Sequence, residues 1–97
     1  MANAKVEIYT KSNCPYCVAA KNLFNERGIE YTEYDAEHDE ALRTQMLERS
    51  NGRRTFPEIF INGEHVGGFD DLHLLDEEGK LDDMLKSLGT KNSLLRY

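Results

Sequence analysis

"TKSNCPYCVAA", residues 10–20, carries both cysteines of the chain, three positions apart, with Pro15 and Tyr16 between them. Its neighbours decide how it is read. Upstream, Lys5 to Tyr9 alternates polar and apolar, with Val6 and Ile8 on one side, the period of two expected of a strand. Downstream, Tyr16, Ala20, Leu23, Phe24 and Arg27 fall at helical spacing, with Pro15 suited to the first helical position and Gly28 to the stop. Ile29 to Tyr34 reads as a second strand. The cysteines therefore sit at the strand–helix junction of a βαβ unit whose strands run parallel.

The remainder of the chain extends this unit. A second helix is predicted from about His38 to Ser50, with Leu42, Met46 and Leu47 facing inward, and Asn51 to Arg54 breaks it. "PEIFI" and "EHVGG" flank Asn62-Gly63, a strong hairpin signal that predicts an antiparallel pair. The unbroken run Ile59, Phe60, Ile61 predicts a central strand covered on both faces. After Gly67-Gly68, Asp70 is expected to cap a short helix through about Glu78 that Gly79 ends. In a last helix Leu81, Met84, Leu85 and Leu88 lie at i, i+3, i+4 and i+7, before Gly89. The expected architecture is α/β, in the order βαβαββα: a four-stranded mixed sheet flanked by helices, one domain over residues 1–97, with 89–97 a candidate flexible tail.

Composition narrows the function. The 97 residues are 39% hydrophobic and 31% charged, a globular balance without low-complexity tracts. Twelve lysines and arginines against 18 aspartates and glutamates leave a net charge of -6, the wrong sign for nucleic acid or an anionic membrane. The amino end lacks the basic start and apolar run of a signal peptide, and no stretch approaches a membrane span. A cytoplasmic setting is the expectation.

In a reducing compartment, a structural disulfide across two residues would close too small a loop to stabilise much. A metal clamp needs further ligands, and His38, His65 and His73 stand at no paired spacing, so no metal is expected. A redox reagent fits better, because C-x-x-C inside a βαβ pattern is a thioredoxin-like motif. Residues three apart on a helix face the same way, near enough to bond and part. Cys14 is expected at the N-cap, exposed, as nucleophile, and Cys17 a turn inside as resolving thiol. A helix terminus supplies roughly 0.3–1 kcal/mol to an anion, whereas one pKa unit is about 1.36 kcal/mol. The dipole alone is too small to activate the thiol, and amide hydrogen bonds and the nearby Lys11 are expected to contribute.

Three motifs in order, Cys14-Pro15-Tyr16-Cys17, "RTFPEIFING" and "HVGGFDDL", make the sequence resemble the dithiol glutaredoxins, most closely the small bacterial ones. The likeness extends to about Leu88. It implies glutathione-dependent thiol–disulfide exchange, with glutathione as co-substrate. It also implies glutathionylated or disulfide-containing proteins as partners, ribonucleotide reductase being a candidate, and a monomer. Thr55-Phe56-Pro57 resembles the family's Thr-Val-Pro, which implies a cis proline and a backbone at Phe56 that pairs with the cysteine of glutathione. Phe56 departs from the family's valine and adds bulk. Gly67-Gly68-Phe69-Asp70-Asp71 is similar to the family's Gly-Gly-x-Asp-Asp, implying that amides near Gly68 and Phe69 receive the γ-glutamyl carboxylate and that Asp70 or Asp71 takes its ammonium. Lys11 and Tyr16 are implied at the glycyl end, with Arg43, Arg53 or Arg54 as further cations. Asn51 looks like a one-residue insertion that affects where Arg53 and Arg54 fall.

Two rival readings accompany this one. An iron–sulfur carrier is disfavoured by Pro15 and the dithiol motif, and a thioredoxin-reductase-fed protein by the absence of tryptophan. His65 and His73 read as surface residues, Tyr9, Tyr31 and Tyr34 as sheet packing, and Met46 and Met84 as core.

Overall fold

The structure, a computed structural model, describes residues 5–85. Strand β1 (Val6–Thr10), helix α1 (Pro15–Glu26), strand β2 (Thr32–Asp35) and helix α2 (Glu40–Arg49) come first. Strands β3 (Glu58–Ile61) and β4 (Glu64–Gly67) and helices α3 (Phe69–Glu77) and α4 (Lys80–Leu85) complete the order. One sheet runs β2-β1-β3-β4. β1 is parallel to β2 and antiparallel to β3, and β3 is antiparallel to β4, with a register shift between Ile59 and Phe60. The predicted βαβαββα order and mixed sheet are therefore present, with the final helical region divided.

Local signals place most boundaries. Pro15 opens α1 behind an extended Cys14, and Gly28, at φ 69°, carries the chain out of it. The hairpin turns on Asn62 and Gly63, both with positive φ, as a two-residue connection between right-twisted strands requires. Helix α2 starts at Glu40, because the Asp39 carboxylate accepts the Leu42 amide at 3.1 Å, so His38 precedes it. Such a cap contributes about 1 kcal/mol. Two expectations shift. β2 begins at Thr32 and not Ile29, since Ile29 and Tyr31 pack against the core before ladder pairing starts. Helix α3 is capped by Gly68, with Asp71 and not Asp70 reaching back to the Gly68 amide at 3.0 Å. Leu88, Gly89 and the expected tail lie outside the described residues.

Apolar side chains occupy both faces of the sheet. Val6, Ile8, Ala20, Phe24, Ile59, Ile61, Leu72 and Leu81 fill one side. Tyr9, Ala36, Met46 and Phe60 fill the other, with Tyr34, Leu42 and Leu47 packed around them. Met84 only borders the first cluster. Burial on both faces confirms the central placement of β3, and although β1 alternates polar and apolar residues, every residue of it is buried as well.

That burial has an electrostatic counterpart. Glu7, inside β1, accepts from Arg49 Nη2 at 2.8 Å and from the Tyr34 hydroxyl at 2.9 Å. The Arg49 guanidinium also donates to the Tyr9 hydroxyl at 2.9 Å and lies 4.1 Å from the Phe60 ring centroid. Burial pushes the Glu7 carboxyl up, but the Arg49 and Tyr34 hydrogen bonds outweigh it and hold it below the usual carboxylate range. Arg49 on α2 therefore closes the second face of the sheet over a buried charge.

Candidate active site

The loop between β1 and α1 is tied down before it delivers the cysteines. The Ser12 amide donates to Glu37 Oε1 at 3.0 Å. Asn13 takes a positive φ of 54°, a conformation asparagine tolerates better than most residues. Cys14 follows as the N-cap of α1, and its sulfur accepts the Cys17 amide at 3.2 Å. The predicted amide contact is thus present at Cys17. Cys14 and Cys17 are joined as a disulfide with Cα atoms 5.2 Å apart. Cys14 is 8% exposed and Cys17 2%. The order of exposure is as expected, but Cys14 is largely covered and not exposed, because bonding to Cys17 turns its sulfur onto the first turn of α1.

Two hollows lie around the pair. One, of about 600 Å³, is lined by Lys11, Ser12, Asn13, Cys14, Pro15, Cys17, Val18 and Lys21. The Lys21 ammonium is held by Glu33 Oε2 at 2.9 Å, and the same oxygen accepts from Thr10 Oγ1 at 2.7 Å. Burial pushes the Glu33 carboxyl up, but Lys21 and Thr10 hold it below the usual carboxylate range. The other hollow, of about 300 Å³, is walled on one side by Arg53, Thr55, Phe56 and Pro57 and on the other by Tyr16, Gly68, Phe69, Asp70 and Asp71. The Phe56–Pro57 peptide is cis, as the resemblance implied.

The structure therefore gathers Tyr16, Thr55, Phe56, Pro57, Gly68, Phe69, Asp70 and Asp71 in one groove, with Lys11 and the cysteines in the adjoining hollow. Lys11 of the adjoining hollow places its ammonium 5.8 Å from the ring centroid of Phe56 in the groove. Tyr16, 61% exposed, is no part of the core stripe that its spacing suggested. It stacks on Phe69 at 6.2 Å, and Phe69 stacks on His73 at 5.7 Å. Among the predicted cations, Arg53 lines the groove, whereas Arg43 donates to the Glu37 carbonyl at 3.1 Å and is spent on the α2 entry.

Gly67 shows how tightly the second wall is built. Its φ is +121°, and a Cβ there would run into the Asp71 carboxylate. Gly67→Ala is expected to cost about 1–3 kcal/mol of stability and to push Asp71 off the Gly68 amide. A denaturant midpoint equal to wild type would show that the wall relaxes freely.

Sequence reasoning missed two residues. Glu58 is 0% exposed, and its carboxylate accepts from Thr55 Oγ1 at 2.7 Å. His65, read as a surface residue, places Nε2 2.6 Å from Glu58 Oε1 and its ring 4.9 Å from that of Phe60. Its position across the ladder from Phe60 on β4 turns it toward β3. The available signal was a carboxylate directly after the proline, at the head of an apolar strand.

Two sulfurs that bond and part within one helical turn are suited to the exchange of thiols and disulfides, and the mixed sheet that carries them is thioredoxin-like. Comparison with known proteins then narrows that class. The sequence profile of the glutaredoxin family matches residues 6–66. Glutaredoxin 3 of Escherichia coli (strain K12) is 49% identical over 83 residues, spanning 86% of this chain and 99% of that protein. The solution structure of glutaredoxin from Brucella melitensis superposes with a TM-score of 0.76 at 51% identity, covering 89% of this chain and 92% of that one. The crystal structure of the buckwheat glutaredoxin–glutathione complex gives 0.76 at 31% identity, covering 87% and 78% respectively. The chain belongs to the glutaredoxin family and is a thiol–disulfide oxidoreductase.

Proposed function

We propose that the chain reduces glutathione mixed disulfides and protein disulfides in the cytoplasm, with glutathione as its reductant. The observation that carries this reading is the groove beside the cysteines. It offers the backbone of Thr55 and Phe56, the helix-start amide of Phe69, the Arg53 guanidinium, and the carboxylates of Asp70 and Asp71. A peptide with one free ammonium and two carboxylates finds a counterpart for each type of group there. The buckwheat relative, solved with glutathione, supports it.

In the proposed cycle the Cys14 thiolate attacks the sulfur of a substrate disulfide. The new bond joins Cys14 to one sulfur, and the other leaves as a thiolate that takes a proton. Where Cys14 has acquired glutathione, a second glutathione thiolate attacks that sulfur, releasing oxidised glutathione and restoring Cys14. Where it has acquired a protein, the Cys17 thiolate attacks Cys14, releases the reduced protein and leaves the intramolecular disulfide. Two glutathiones then reduce that disulfide. The covered position of Cys17 suits attack on Cys14 alone.

Glutathione with glutathione reductase is expected to sustain turnover of a disulfide substrate, and thioredoxin reductase in their place is not. Equal turnover with thioredoxin reductase would defeat the reading.

A further inference from the structure

We propose that Glu58 is a positioning residue for the glutathione groove: its buried carboxylate anchors Arg53 across the groove and so sets how tightly a glutathionyl substrate binds. The inference rests on the glutathione reading above. Glu58 is wholly enclosed, yet none of its oxygen atoms lacks a partner. A carboxylate without water must be matched by hydrogen bonds or charge. His65 Nε2 meets one oxygen at 2.6 Å. The other accepts from Thr55 Oγ1 at 2.7 Å and faces Arg53 Nε at 3.6 Å.

Arg53 belongs to both sides of the groove. Its Nη2 donates to Thr55 Oγ1 at 3.4 Å on the first wall, and its Nη1 lies 3.8 Å from Asp71 Oδ2 on the second. Asp71 in turn accepts the Gly68 amide at 3.0 Å. A polar chain thus runs His65–Glu58–Arg53–Asp71 from the sheet to the head of α3. Arg53 is itself 46% exposed by side chain, and a long solvated cation would otherwise sample many rotamers. The fixed charge behind it, which water cannot screen, restricts that freedom and holds the guanidinium where a ligand carboxylate enters. Neither Glu58 nor Arg53 lines the hollow that holds the cysteines, so the influence of the pair belongs in binding.

Glu58→Gln keeps the shape and an acceptor for Thr55 but removes the charge. It is expected to raise KM for a glutathionylated peptide by roughly two- to fivefold, the scale of a partly exposed ion pair, with kcat unchanged. Arg53→Gln, on a solvent-facing side chain, is expected to raise KM similarly, and adding Glu58→Gln to it should change nothing further, since coupled partners are not additive. The same proteins are assayed on a cysteinylated peptide, where the Glu58→Gln effect is expected to vanish. A loss confined to kcat, or an equal effect of Glu58→Gln in both Arg53 backgrounds, would overturn the proposal while the glutathione reading stood. A wild type that does not prefer the glutathionylated peptide would remove that reading, and this one with it.

Discussion

Cys14→Ser is expected to lose turnover of both a glutathionylated peptide and a protein disulfide, by more than about 10³-fold, the scale for removing a covalent nucleophile. Cys17→Ser is expected to keep the first activity and lose the second. A serine hydroxyl cannot form the mixed disulfide through which either reaction passes. The two variants separate because the residues differ in position. Cys14 caps α1 and holds the larger exposed fraction, while Cys17 is sealed beneath it. A glutathione adduct on Cys14 can be cleared by a second glutathione from solution, whereas a bulky protein adduct depends on the neighbouring thiol. Activity in Cys14→Ser, or loss of deglutathionylation in a folded Cys17→Ser, would reverse the assignment.

Arg49→Ala is expected to cost about 3 kcal/mol of unfolding free energy at neutral pH, because it strands the Glu7 carboxylate inside the sheet. Lys5, 3.9 Å from the same carboxylate and on an exposed side chain, is too solvated to replace it. The penalty depends on pH with a definite sign. Arg49 and Tyr34 hold the folded Glu7 carboxyl below its ordinary value, so the contribution of the ion pair is complete above the unfolded value near ~4.3. It fades as pH falls through the lower folded value. Denaturant titrations of wild type and variant should therefore differ most at neutral pH and converge in acid. Pairing Arg49→Ala with Glu7→Gln should recover part of the loss, since no charge then remains buried. A difference that persists undiminished in acid would assign the cost to lost packing over the Phe60 ring instead.

Several readings that depended on neighbouring residues held. Pro15, Gly28 and the Asn62-Gly63 turn act through their own backbone preferences, which a sequence displays directly. The three motifs likewise brought Tyr16, Thr55, Phe56, Pro57, Gly68, Phe69, Asp70 and Asp71 to one groove. Readings that depended on distant partners did not hold. Glu7 and Arg49 are 42 positions apart, and the alternation of β1 could not show that a cation on α2 would cover its second face. Glu58 and His65 meet across a hairpin, where a buried carboxylate and its acquired partner look like two ordinary polar residues. The shift of the α3 cap from Asp70 to Gly68 is a local exception, since Gly67 at positive φ lets Asp71 close over the turn.

The outermost strands, β2 and β4, are four residues each, and they carry Glu33 and Asp35 on one margin and Glu64 on the other. Short acidic edges give a stray polypeptide no long, neutral ladder to extend.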